Sequence, residues 1–347
     1  MKIGIVGLPN AGKSTIFNAL SNAHAKVEPY PFTTIEPNIG TVNVPDERLF
    51  GIASVYKPDR IVSTTINFLD VAGLVKGASQ GEGLGNKFLG NIREVDSVVQ
   101  VVRYFKDSEV PHSYGNVDPI RDVEIINTEL MLADLDIVER NIKDKKGKKG
   151  LETNYDFLLK AENALKQGKM LNSIALNEDE LRFSKEYGFL TSKTFIYVLN
   201  ISEEDISKNI KVDLPGESIQ VCGKWESDLL GLDDDTRKEF MKDMGVDELG
   251  LHKLVKASYK SLHLITFFTT ESKEVKAWTV THGTKAPNAA GKIHTDIEQG
   301  FIKAEVIPYN ILMKWKDPVK AKEHGEVKFE GKEYIVQDGD VIKFHFN

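Results

Sequence analysis

Gly7-Leu8-Pro9-Asn10-Ala11-Gly12-Lys13-Ser14 fits G-x-x-x-x-G-K-[ST], a spacing built to bind phosphate. Glycines let backbone N–H groups converge on an anion, and the positive end of a following helix adds to the attraction. In such a loop the chain from Asn10 through Ala11, Gly12, Lys13, Ser14 and Thr15 wraps the phosphates. Lys13 would reach the β- and γ-phosphates and the Ser14 hydroxyl would ligate Mg²⁺. With Gly at ~7% of residues, a chance match is expected in roughly one chain of this length in a hundred.

Hydrolysis needs two further elements, and both follow in order. Asp70-Val71-Ala72-Gly73 has the D-x-x-G form of a switch, in which Asp70 holds Mg²⁺ through water and the Gly73 N–H senses the γ-phosphate. Between the two motifs, Pro31-Phe32-Thr33-Thr34-Ile35-Glu36-Pro37-Asn38 offers Thr34 to the metal. Either one alone is compatible with an ordinary turn; the order and spacing give them weight.

The elements that must position these residues are legible as β-branched runs. Ile3–Val6, Thr65–Leu69, Ser97–Val102, Phe195–Leu199 and Ser218–Val221 read as buried strands. Helical patterns between strands predict α/β alternation with a mainly parallel sheet, including a helix over Ser14–Leu20. From 118 the period changes to helical, with Ile120, Val123, Leu130, Leu135, Val138 and Ile142 separated by charges. After a lysine-rich break, Tyr155, Leu158, Leu159 and Leu165 mark a second helix, so an antiparallel helical hairpin interrupts the α/β domain. A helix over Leu249–Leu262 would close that domain, and short strands after Leu264 predict a compact α+β domain. The expected organisation is residues 1–117 and 190–262 for the nucleotide domain, 118–189 for the insertion and 264–347 for the last domain.

On the phosphate loop, the P-F-T-T-I-E-P-N segment and the stretch from Asp70 through Gly73-Leu74-Val75-Lys76-Gly77-Ala78 to Gly81-Glu82-Gly83-Leu84-Gly85, the sequence resembles the Obg-type translation-factor P-loop GTPases. Within them it is most similar to the YchF/Obg-like ATPase subfamily, over essentially the whole chain. The resemblance implies a G-domain-like fold with a coiled-coil insertion and a C-terminal TGS domain of β-grasp type. Trp278-Thr279-Val280, Gly283-Thr284-Lys285-Ala286-Pro287 and Ala289-Ala290-Gly291-Lys292-Ile293-His294-Thr295-Asp296-Ile297 resemble that subfamily's TGS signature.

The base-reading motif separates GTP from ATP. A guanine site presents N-K-x-D, whose Asp accepts from guanine N1–H and the 2-amino group. Here Asn200-Ile201-Ser202-Glu203 lacks the Lys and moves the carboxylate out by a methylene, while Asp205 comes two positions too late. Adenine has an acceptor at N1 and no 2-amino group, and a site built for one hydrogen-bonding pattern discriminates by ~10⁴ or more. Asn200, Ile201 and Glu203 are therefore read as an adenine-side motif, with GTP hydrolysis left open. Ras-like enzymes place a Gln after D-x-x-G to orient water; Leu74 cannot do this, so intrinsic hydrolysis is expected to be slow. The resemblance points instead to His112, in the loop after Ser97–Val102, as the catalytic group alongside Lys13. It also associates Asn10 with a bound K⁺, although Asn10 could equally stabilise its own loop.

Lysines and acids nearly balance: 45 Lys and Arg against 52 Asp and Glu give −7, with 41% hydrophobic residues in a chain of 347. This excludes collagen-like, disordered and disulfide-scaffold classes. A single Cys, Cys222, and apolar runs far short of a membrane span fit a cytoplasmic protein without a leader. The acidic balance argues against bulk DNA binding. Lys143, Lys145, Lys146, Lys148 and Lys149 crowd the hairpin tip, either as a solvated turn or as a finger for RNA phosphates. Cys222, His294 and Asp296 are read as structural. The expected activity is a Mg²⁺-dependent ATPase switch on the ribosome or its RNA. The rivals are a GTPase of the broader Obg class and a non-enzymatic nucleotide-gated binder.

Overall fold

A computed structural model describes residues 1–22, 39–71, 84–145, 152–271 and 273–347. Two compact units emerge from its internal contacts: Met1–Val42 with Asn67–Leu254, and Asn43–Ile66 with Val255–Asn347.

The first unit is built on strands β1 (Lys2–Val6), β2 (Ile39–Asn43), and, in chain order after a short strand β3 (Arg60–Val62) of the other unit, β4 (Thr65–Asp70), β5 (Ser97–Arg103), β6 (Thr194–Asn200) and β7 (Ser218–Val221). The sheet order is β2-β4-β1-β5-β6-β7, and the β1–β4, β1–β5, β5–β6 and β6–β7 pairs are all parallel. Every residue of β5 is buried, as expected of a central strand that reads Ser-Val-Val-Gln-Val-Val-Arg. Helices α1 (Lys13–Asn22), α3 (Leu84–Arg93) and α4 (Pro119–Lys145) belong here, α2 (Arg48–Tyr56) being part of the second unit. So do α5 (Glu152–Lys166), α6 (Glu178–Glu186), α7 (Gly223–Leu229) and α8 (Asp234–Asp243). Phe88, Leu89 and Ile92 of α3 and Val123, Ile126 and Leu130 of α4 pack with Val98, Val102 and Leu199 in one core.

The helical insertion forms where the changed period places it. Val138, Phe157, Leu158, Ala161 and Leu165 make its own core, but its base is continuous with the sheet's. The buried Asp134 carboxylate accepts from the N–H groups of Leu190 (3.0 Å) and Thr191 (2.8 Å) and from the Thr191 hydroxyl (2.7 Å). Burial pushes that carboxyl up to about 6 against those donors. This clip and the shared core explain why 118–189 groups with the nucleotide sheet rather than by itself.

The second unit holds α9 (Gly250–Ser261) from Val255 onward, β8 (Leu264–Thr269), β9 (Glu274–Thr281), α10 (Ala286–Gly291), α11 (Thr295–Gln299), β10 (Phe301–Pro308), α12 (Tyr309–Trp315), α13 (Pro318–Glu323), β11 (Lys328–Glu330) and β12 (Asp340–Phe346). Its sheet runs β11-β10-β12-β8-β9-β3. The β8–β9 hairpin is antiparallel, β10 and β12 are antiparallel, and β8 and β12 lie parallel in the middle. A hairpin, a helical crossover and a parallel central pair are consistent with a β-grasp arrangement. Ala286, Ala289 and Ala290 of α10 seat against Phe267, Ala304, Val306 and Phe344.

Two boundaries differ from the sequence expectation: residues 255–262, expected to close the nucleotide domain, group with the C-terminal unit, and not all of 1–117 stays with the nucleotide domain. Residues 43–66 join the C-terminal unit: β3 pairs in parallel with β9, and Leu49 and Ile52 of α2 pack with Phe268, Val275 and Leu312. Arg48 binds Asp46 (2.7 Å) and Asp338 (2.8 Å), a link across 290 positions. A three-residue strand carries too little periodicity to announce a partner so distant in sequence.

Candidate functional site

The phosphate loop joins β1 to α1, the strand-to-helix context its motif requires. Asn10 has φ 63°, a left-handed conformation that Asn tolerates better than most residues. Gly12 has φ +90°, and a Cβ there would lie 2.1 Å from Asn200 Nδ2. A side chain at 12 is thus refused both by backbone and by space.

Lys13 is buried, and its Nζ donates to the Leu8 carbonyl at 2.9 Å, so the ammonium is folded back over the loop. Burial lowers its affinity for a proton, with Asp70 pulling the other way. Asp70, the last residue of β4, is half-buried; desolvation raises its carboxyl, opposed by Lys13 and by a hydrogen bond with the Ser14 side chain. The structure therefore brings Lys13, Ser14 and Asp70 together. A hydroxyl and a carboxylate in contact are hard oxygen donors, the set that suits Mg²⁺. Thr34 and Gly73 lie outside the described residues, as do most of both switch segments.

The predicted base motif sits at the end of β6 and is tied directly to the loop. Asn200 Nδ2 donates to the Ala11 carbonyl at 3.0 Å, and its Oδ1 accepts from the Gly223 N–H at 3.2 Å. One buried amide thus joins the phosphate loop, β6 and the start of α7. Ile201 is buried, while Glu203 is exposed at the head of a short 3₁₀ turn, Glu203–Asp205. Asp205 is occupied by Ser202 (2.8 Å) and Lys208 (2.7 Å), which hold its carboxyl below the usual range. It is spent on its own turn. Cys222 is buried just before α7, and burial pushes its thiol up.

His112 stands in the loop between β5 and α4. That loop is held from beneath by Arg103, the last residue of β5, which lies one position beyond the strand read from the sequence as Ser97–Val102. Arg103 is 2% exposed and donates to the carbonyls of Val110 (2.8 Å), Asp107 (3.2 Å) and Phe105 (3.3 Å). A charged residue closing an otherwise apolar strand is the signal that could have found it. Asn10 Nδ2 donates to the Pro111 carbonyl at 3.0 Å, joining the phosphate loop to the residue before His112. The His112 side chain is 4% exposed and faces Asp122 of α4.

Comparison with known proteins decides the family. A ribosome-binding ATPase YchF of Pasteurella multocida is 47% identical to this chain, covering 100% of it and 99% of the relative. That of Bacillus subtilis is 45% identical, covering 99% and 98%. The chain belongs to the YchF family. The solved structure of a Schizosaccharomyces pombe YchF GTPase superposes with a TM-score of 0.90 at 34% identity, covering 99% of this chain and 97% of that one. A family model described as 50S ribosome-binding GTPase matches residues 2–141. Residues 264–347 match the model of the YchF GTPase C-terminal region, itself described as a protein of unknown function (DUF933). These matches agree with the P-loop fold and the separate C-terminal domain expected from the sequence.

Other features of the YchF-type chain take structural places. His294 Nδ1 accepts from the Asp296 N–H at 3.2 Å and caps α11. Lys143 lies near the end of α4, whereas Lys146, Lys148 and Lys149 fall outside the described residues. Among the described residues no helix is long and apolar enough to cross a membrane.

Proposed function

We propose that this chain is a Mg²⁺-dependent ATP-binding and ATP-hydrolysing switch that associates with the ribosome and serves a translation- or stress-related regulatory role in the cytoplasm. The observation that carries the choice of base is the Asn200-Ile201-Ser202-Glu203 segment, pinned to the phosphate loop through Asn200 and Ala11. It has no Lys to lie along a guanine, and a longer, exposed acid replaces the Asp that reads one. Bacterial relatives named as ribosome-binding ATPases support this reading. The second reading, a GTPase, is favoured by the N-terminal family model, described as a GTPase, and by the fission-yeast YchF, which is named one.

In the mechanism, Lys13 leaves the Leu8 carbonyl for the β- and γ-phosphates, and the N–H groups of residues 10–15 donate to the oxygens on which charge develops. Ser14, Thr34 and, through water, Asp70 would hold Mg²⁺, which supplies charge neutralisation at the phosphate oxygens when bound. His112 orients or deprotonates the attacking water, the task that Leu74 cannot perform. Asn10 spends its amide nitrogen on Pro111, and its side-chain oxygen would be the atom to hold a K⁺ ion.

Release of phosphate from ATP, measured with and without ribosomes and with K⁺ exchanged for Na⁺, tests this function. Turnover that rises with ribosomes supports it; absence of turnover under all conditions favours a non-enzymatic binder. For the ribosome contact, neutralising Lys143, Lys145, Lys146, Lys148 and Lys149 should weaken co-sedimentation and flatten its salt dependence. Unchanged co-sedimentation would leave those lysines as a solvated turn.

A further inference from the structure

His112 has both ring nitrogens engaged. The Tyr114 N–H donates to Nδ1 at 3.1 Å, which makes Nδ1 an acceptor and leaves the ring proton on Nε2. Nε2 lies 2.8 Å from Asp122 Oδ2, in the first turn of α4. In this arrangement no ring lone pair is open to a water molecule. A group that deprotonates water must offer one, and a group that orients water needs a ring nitrogen not already engaged.

The partner carboxylate is itself held. Asp122 is 3% exposed, and its Oδ1 accepts from Arg121 Nη2 at 3.0 Å and Nε at 3.3 Å. Arg121 also donates to Asn116, to Oδ1 at 2.8 Å and to the carbonyl at 2.6 Å, and its guanidinium lies 5.5 Å from the centre of the Tyr114 ring. Residues 112–116 are thereby fastened to the start of the helix that becomes the insertion. The preceding residue, Pro111, is fastened the other way, to Asn10 of the phosphate loop. His112 is therefore the first residue on the α4 side of the division between nucleotide and hairpin.

We propose that Asp122 is a positioning residue that withholds His112 from the reacting centre, so that the first turn of the hairpin sets the basal rate of hydrolysis. A partner that engages the hairpin and displaces this turn would release the imidazole and raise the rate. This rests on the reading of His112 as the water-orienting group, and the test keeps the two separable. The proposal also accounts for a buried carboxylate paired with a partly exposed guanidinium where a plain helix start needs only a cap.

The test compares ATP turnover of the full chain with those of Asp122→Ala, His112→Ala and the double variant. Asp122→Ala is expected to raise basal kcat about tenfold, the share that one lost charge-assisted hydrogen bond would release, with KM for ATP within about twofold of wild type. The gain should vanish in the double variant. Asp122→Ala turnover at or below wild type, with ATP still bound, overturns the latch. His112→Ala with unchanged basal and ribosome-stimulated turnover overturns the role of His112 instead. Should the alanine variant not fold, Asp122→Asn keeps the volume and an acceptor for Arg121. It is expected to raise kcat by a smaller factor, and a rate at or below wild type contradicts the proposal equally.

Discussion

Asn200 Nδ2 and the carbonyl of Ala11 lie 3.0 Å apart although 189 positions separate them in the chain. Through this bond the strand that carries the base motif and the loop that carries the phosphates hold one register. In Asn200→Ala the Ala11 carbonyl and the Gly223 N–H both lose a buried partner, at a cost of about 1–3 kcal/mol each. Denaturant unfolding should show that loss, and nucleotide titration should show weakened binding. Full affinity in the variant would mean the tie does not organise the site.

Gly12 meets the same amide. Gly12→Ala forces a side chain into φ +90° and to within 2.1 Å of Asn200 Nδ2, so nucleotide affinity should fall by more than about tenfold. Combining it with Asn200→Ala removes the clash but not the backbone cost of about 1–2 kcal/mol. Calorimetric titration should therefore find partial recovery in the double variant. Complete recovery would show that backbone conformation at 12 is unimportant.

Lys13 offers a separate prediction. Lys13→Met keeps length and removes the cation proposed to move from the Leu8 carbonyl to the phosphates, so kcat for ATP should drop by about 10²–10³, the range for losing one oxyanion donor. Phosphate release in single-turnover assays measures it. Retention of more than a tenth of wild-type rate would place the charge stabilisation elsewhere.

A pH effect is built into the region beside the base motif. Glu226 of α7 is 3% exposed and accepts from the N–H groups of Gly250 (3.0 Å) and Leu251 (2.8 Å). Burial pushes its carboxyl up from 4.5 to about 7, despite those donors. Between these values the folded chain keeps a proton that the unfolded chain has lost. The contribution of Glu226 is therefore fully present below the lower value and declines as pH rises through the window, by up to about 1.4 kcal/mol per unit. Melting of wild type and Glu226→Gln from pH 5 to 8 should show wild type losing ground to the variant as pH rises. Parallel profiles would contradict the assignment.

The sheet of the first unit is legible in the sequence because its strands are continuous β-branched runs and the phosphate loop is local. Phe195–Leu199 and Ser97–Val102 can both be recognised as buried strands on pattern alone, and the two pair in parallel. What escapes depends on distance along the chain. Arg48 finds Asp338, and Arg60–Val62 finds β9, through contacts that leave no periodic trace. The candidate site divides the same way. Lys13, Ser14 and Asp70 can be expected together from their motifs, whereas the pairing of His112 with Asp122 arises only when a loop folds onto a helix start. Arg103 is hidden because its work is done for backbone carbonyls, which every sequence contains.

The altered base motif is expected to select adenine. Equilibrium titration of the full chain with ATP and with GTP, each with Mg²⁺ and K⁺ under one set of conditions, tests it most directly. ATP is expected to bind at least about tenfold more tightly than GTP, a difference of about 1.4 kcal/mol. GTP binding as tightly as ATP, or more tightly, would contradict it.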